Sequence, residues 1–132
     1  MKLLDTTFLI DYLAGDKGAE GYLESHEDED LVTTSINIKE LAVGVQLAGD
    51  ERKHELLSRF GWLRIVPFTV DHAVRAGQLE ADLRADDTIP SERIDALSGD
   101  ILIAAVAADH ETTVITRNTG DFEVLGVDCE AY

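Results

Sequence analysis

Eight consecutive apolar residues, Ile101-Leu102-Ile103-Ala104-Ala105-Val106-Ala107-Ala108, set the tightest limit on how this chain can fold. A helix apolar on every side has no face for water and must lie in the interior. Its alanines suit close packing against a sheet. The run is far short of the roughly 20 residues a membrane span needs. Ser98-Gly99-Asp100 opens it, so a carboxylate stands at the mouth of the most buried helix.

The sheet it requires can be read from short runs rich in β-branched and apolar residues. Lys2–Asp5, Leu31–Thr34, Arg64–Val66 and Thr113–Thr116 read as strands, and Gly126–Asp128 as a last edge strand. Between them the apolar spacing turns helical. A helix from about Thr7 to Ala14 carries Phe8, Leu9, Tyr12 and Leu13 and is closed by Gly15; Asp11 is then directed at solvent or the helix edge. A second short helix runs from Asp16 through Tyr22 and Leu23, followed by a solvated acidic loop, Glu24 to Asp30. Ser35 is expected to cap a helix with Ile38, Leu41, Ala42 and Val45 on one face, broken at Gly49-Asp50. Glu51 to Phe60 is the next, with Leu56, Leu57 and Phe60 inward, then a long helix from Val70 to Arg84. Asp86 to Pro90 reads as a loop, Ser91 to Leu97 as its continuation with a short turn, and Arg117 to Phe122 as a second loop. Strands and helices alternating at these lengths imply an α/β fold with a mainly parallel sheet of four to five strands and right-handed crossovers.

At 132 residues the chain is read as one domain, 1–132, long enough for a single core. Cys129 is the only cysteine, which excludes an internal disulfide and a cysteine-based zinc site and fits a cytoplasmic location. No signal-peptide pattern opens the chain. The net charge of −16, from 27 acidic against 11 basic residues, suits a halophilic surface kept soluble by carboxylates. It opposes simple electrostatic attraction to nucleic acid, which rests on Lys and Arg.

Four acids occupy equivalent places. Asp5 ends the first strand, Glu40 lies in the first turns of the helix after the second, Asp100 opens the buried helix, and Asp121 follows the fourth strand. In a parallel sheet these places face one edge, the edge at which open α/β sheets bind ligands. Each also has a structural use. Asp5 suits a helix N-cap, Glu40 a capping box with Asn37, Asp100 the helix dipole with Ser98 as an alternative cap, and Asp121 an Asx turn beside Gly120. Converging carboxylates repel unless a cation sits between them or some stay protonated. An all-oxygen set suits Mg²⁺, with Mn²⁺ as a substitute. Thr6, Ser35, Thr116 and Asn118 are placed to support the acids or water around a metal. His26, His54, His72 and His110 share no motif with a nucleophile and form no metal-spaced pair, and Cys129 has no base beside it. No GxGxxG or Walker A pattern is present.

Leu4-Asp5-Thr6-Thr7-Phe8-Leu9-Ile10-Asp11-Tyr12-Leu13 resembles the opening of PIN-domain proteins, VapC-type toxins above all. Thr34-Ser35-Ile36-Asn37-Ile38-Lys39-Glu40-Leu41, Asp100-Ile101-Leu102-Ile103-Ala104-Ala105 and Thr116-Arg117-Asn118-Thr119-Gly120-Asp121-Phe122 are similar to the later motifs, in the family's order. The resemblance implies a three-layer α/β/α domain and a magnesium-dependent endoribonuclease, often a homodimer, inhibited by a cognate VapB-type antitoxin. It places the catalytic acids on Asp5, Glu40, Asp100 and Asp121, with metal contacts chiefly at Asp5 and Asp100; Asp121 falls on the family's least constant acid. The strong acidity departs from many members. Lys39 and Arg117, next to motif acids, are candidates for RNA phosphate contacts or plain surface charges. Tyr12, Tyr22 and Trp62 either stack bases or pack in the core.

Three other readings compete. One is a PIN nuclease of RNA maturation or decay, and another a binding module with an acidic pocket. The third is phosphoryl transfer through an Asp nucleophile, disfavoured because Asp5 lacks a second Asp two residues on and no Lys ends a comparable late strand.

Overall fold

The computed structural model describes residues 1–48 and 53–132. The expected break at Gly49-Asp50 and the start of the helix at Glu51 lie outside them. The order is β1 (Lys2–Leu4), α1 (Thr6–Ala14), α2 (Lys17–Ser25), β2 (Leu31–Thr34), α3 (Ser35–Leu47), α4 (Lys53–Arg59) and β3 (Arg64–Val66). Then come α5 (Val70–Ala85), α6 (Ser91–Ala96), α7 (Ser98–Asp109), β4 (Thr113–Ile115), α8 (Thr119–Val124) and β5 (Cys129–Glu130).

The five strands form one sheet in the order β3-β2-β1-β4-β5, every pair parallel. β1 is central. Lys2 to Leu4 pair with Thr113 to Ile115 on one side, and Lys2 and Leu3 with Leu31 and Val32 on the other. A parallel sheet covered on both faces carries apolar residues on both, so successive residues of β1 are both leucine. Leu3 joins Val32, Val66 and Val114 under α5 and α7, whereas Leu4 and Ile115 join Phe8, Leu9, Leu41 and Phe60 on the opposite face. Leu3 and Leu4 have no exposed surface, and each such burial is worth about 1.5–3 kcal/mol. The layers are thus α/β/α. In α7, Ile101, Ile103 and Ala104 to Ala107 are all buried, as the apolar run requires.

Several elements differ from the sequence reading. Thr34, not Ser35, caps α3: its hydroxyl accepts from Asn37 N–H while the Asn37 side chain accepts from Thr34 N–H. Ser35 Oγ instead accepts from Phe68 N–H at 3.0 Å, tying the start of α3 to the segment after β3. Residues 91–96 and 119–124 are six-residue helices, not loops. The edge strand is Cys129–Glu130 rather than 126–128, because those are the residues in register with Val114 and Ile115. In α4, Leu56 is buried but Leu57 is 50% exposed. Tyr22 is buried, with its hydroxyl donated to Glu130. Trp62 is half-exposed, its Nε1–H on Arg59 O. Among the described residues no helix is long and apolar enough to cross a membrane.

Candidate active site

Each of the four acids stands at the carboxyl edge of the sheet because of the element that carries it. Asp5 follows β1 and occupies the N-cap position of α1, but its side chain makes no cap bond. It turns inward instead, 3% exposed. Oδ2 accepts from Thr116 Oγ1 at 2.8 Å and from Thr7 Oγ1 at 3.4 Å, and Oδ1 from Asn37 Nδ2 at 3.3 Å. Burial raises the Asp5 pKa, and the hydroxyl and amide donors, Thr116 foremost, pull against it.

Glu40 takes no part in a capping box, since Asn37 serves Thr34. Its Oε2 accepts from Thr6 Oγ1 at 2.6 Å. Thr6 Oγ1 in turn accepts from Asn37 Nδ2 at 2.9 Å, so one buried amide touches the partners of two acids. Oε1 lies against the α7 backbone: a Cβ on Gly99 would stand 3.0 Å from it. Burial raises the Glu40 pKa, the Thr6 bond lowers it, and the Asp5 charge raises it further.

Asp100, in the first turn of α7, is pushed up to about 7, first by burial and then by the charges of Asp5, Asp121 and Glu40. The first turn of α7 lacks a side-chain cap, so Ser98 does not take the capping role. Asp121, in the first turn of α8, accepts from the Arg93 guanidinium at 2.7 Å.

Of the supporting residues, Thr6 and Thr116 bond the acids directly. Asn118 acts through its backbone, donating N–H to Thr116 Oγ1 at 3.0 Å and accepting Asp121 N–H at 3.1 Å. Ser35 serves the fold rather than the acids. Sequence reasoning missed Thr7, Arg93 and the full role of Asn37. Thr7 was legible as a second hydroxyl beside Asp5; nothing in the sequence marks Arg93, because α6 brings it to Asp121 from 28 residues away. Burial raises the Cys129 thiol, in keeping with an inert cysteine.

The histidines correct the reading in one respect. Ligand atoms of His72, Asp109 and His110 lie within 4.8 Å of one another at the opposite end of α7, and among the described residues no three of the four acids meet that spacing. His72 is nevertheless committed. Its Nδ1 accepts from Thr69 N–H at 3.0 Å, which leaves the ring hydrogen on Nε2, 3.0 Å from Asp109 Oδ2. A metal at Nε2 would displace that hydrogen, which could return only to Nδ1, where the cap bond stands. The trio is a capped helix start resting on a carboxylate.

The sequence pattern of the PIN domain matches residues 2–127. The chain belongs to the PIN domain family. PIN domains are as a rule nucleases. Similar structures include FitAcB from Neisseria gonorrhoeae, 28% identical over 98% of this chain and 96% of that one, with a TM-score of 0.74. VapBC-5 from Mycobacterium tuberculosis, a member of the VapBC family of toxin–antitoxin systems, is 25% identical over 98% and 95%, with a TM-score of 0.66. VapBC2 from Rickettsia felis, bound to a DNA fragment from its promoter, shares the fold at a TM-score of 0.82 over 99% and 98%, with 21% identity. No curated protein matches the chain in sequence.

Proposed function

We propose that this PIN domain is a divalent-metal-dependent endoribonuclease, the cytoplasmic toxin of a VapBC-type pair. The observation that carries the reading is Asp100, held at the mouth of α7 against three further carboxylates and raised to about 7 by them and by burial. Such a centre reaches its ionised form at neutral pH by taking up a cation. The donors are all oxygen, which suits Mg²⁺ or Mn²⁺.

Asp5 and Asp100 would hold the ion, with Asp121 through water. When bound, the ion polarises the scissile phosphate and eases loss of a proton from the attacking water. The chain's own groups do the rest. Thr116, Thr7 and Asn37 fix the rotation of the Asp5 carboxylate. Glu40, its basicity raised by burial and anchored on Thr6, receives the proton of the attacking water at Oε1. Arg93 partly neutralises Asp121 and offers the remainder of its guanidinium to an RNA phosphate.

An antitoxin partner follows from the toxin–antitoxin relatives. A cleft of about 410 Å³ between α1 and α3, lined by Ile10, Leu13, Leu41, Gly44 and Val45, ends at Glu40, and a VapB-type segment lying there would close the site. The exposed Val70 and Val74 on α5 offer a face for a second copy.

The test is cleavage of a folded RNA pool with Mg²⁺, Mn²⁺ or chelator, at low and high salt, beside Asp5→Asn and Asp100→Asn. Metal-dependent cuts should appear with the wild type and vanish in both variants, whose circular dichroism stays native. Cuts that persist in chelator, or in Asp100→Asn, would refute the mechanism.

A further inference from the structure

Asp11 does not face solvent, and the Arg117 side chain is turned onto it. Asp11, with 15% of its side chain exposed, accepts from the Arg117 guanidinium through Oδ1 and from Tyr132 Oη at 2.5 Å through Oδ2. Arg117 Nε adds a bond to Tyr132 Oη at 3.3 Å, and the tyrosine ring is pinned edge-on against Phe8 at 4.7 Å. The Arg117 backbone N–H donates to Thr7 Oγ1 at 3.1 Å. Thr7 and Asp11 are four residues apart on α1 and share a face. Arg117 therefore grips two successive turns of α1, one with its backbone and one with its side chain.

This grip bears on hydroxyl orientation. A threonine hydroxyl has one hydrogen to give and lone pairs to receive. Arg117 N–H occupies the oxygen of Thr7, and Asn118 N–H that of Thr116. Thr116 is left with its hydrogen on Asp5 Oδ2 at 2.8 Å, and Thr7 gives its hydrogen to the same oxygen at 3.4 Å or to Thr116 Oγ1 at 3.3 Å, so that it reaches Asp5 directly or through Thr116. Two consecutive peptide N–H groups thus aim two side chains at one carboxylate oxygen, and the Asp11–Arg117–Tyr132 cluster holds those two peptides in place.

We propose that Asp11, Arg117 and Tyr132 are positioning residues that aim Thr7 and Thr116 at Asp5 and so set how tightly the site holds its cation. The proposal rests on the metal-dependent reading above. Tyr132→Phe keeps the ring on Phe8 and removes only the hydroxyl; Asp11→Asn keeps shape and removes the charge. Free Mn²⁺ in a titration, read by electron paramagnetic resonance, should show dissociation constants raised about tenfold in both variants. The backbone amides of Arg117 and Asn118 should exchange with deuterium about tenfold faster. The melting temperature, and the KM for RNA at saturating Mn²⁺, should stay at the wild-type values, which a general loosening of the fold would not allow. Wild-type Mn²⁺ affinity with unchanged exchange in both variants overturns the proposal. A wild type that binds no Mn²⁺ sinks the metal-dependent reading instead. The exchange measurement then decides the cluster alone: unchanged Arg117 and Asn118 rates refute it, and faster rates uphold the aiming role.

Discussion

Asp100 carries a stability consequence opposite to that of a salt-bridged carboxylate. In the unfolded chain it loses its proton near 3.8, in the folded one near 7. Between those values the native state holds the extra proton, so stability falls as pH rises through the window and stays reduced above it. Allowing for the exposed part of the side chain, the penalty is about 2 kcal/mol at pH 8. Metal-free Asp100→Asn should therefore melt about 5 °C above the wild type at pH 8. The gain should vanish near pH 4 and also on adding Mg²⁺, which stabilises only the wild type. Thermal melts in chelator check this, and a variant melting below the wild type at pH 8 would contradict it. At this scale the sequence was legible where an acid ends a strand or opens a helix, since backbone topology alone aims Asp5 and Asp100 at the same edge. It was not legible where a side chain reaches between distant elements. Arg93 on Asp121 and Asn37 beneath both Asp5 and Thr6 depend on which elements pack together, and no local pattern announces them.

Between elements, the start of α7 lies close against Glu40. Gly99→Ala would bring a Cβ to 3.0 Å from Glu40 Oε1, the mobile end of a side chain, so Glu40 moves and the fold survives. Alanine favours the helix by up to about 1 kcal/mol over glycine. The variant should melt at or slightly above the wild type while RNA cleavage falls about tenfold. Unchanged cleavage at saturating metal would show that the position of Oε1 is immaterial. Of the long elements, α7 is readable from its unbroken apolar run and α5 from its length. The helices α6 and α8 have six residues each, too few for a period to show, so the sequence reads there as a short turn and a loop. The α3 start was misplaced by one residue because Thr34 and Ser35 are both good caps. Packing decided for Thr34, which is fully buried with Asn37.

Over the whole molecule, 27 acidic residues meet only 11 basic ones, so most carboxylates repel across the surface. Raising KCl from 0.1 to 2 M screens that repulsion, and the melting temperature should climb by about 5–10 °C. A flat response in differential scanning calorimetry would remove the argument for adaptation to salt. The order of strands has a further consequence, for synthesis. The central strand is made before the other four, yet one of its neighbours is β4, and the shortest bond to Asp5 comes from Thr116, 111 residues later. Contacts of such sequence separation form late. A nascent chain that has not yet emitted β4 has Asp5 without Thr116 and lacks Asp121 altogether. The nuclease proposed here would therefore stay silent until Thr116 and Asp121 had left the ribosome and packed beside Asp5, and the ribosome making it would be spared until then.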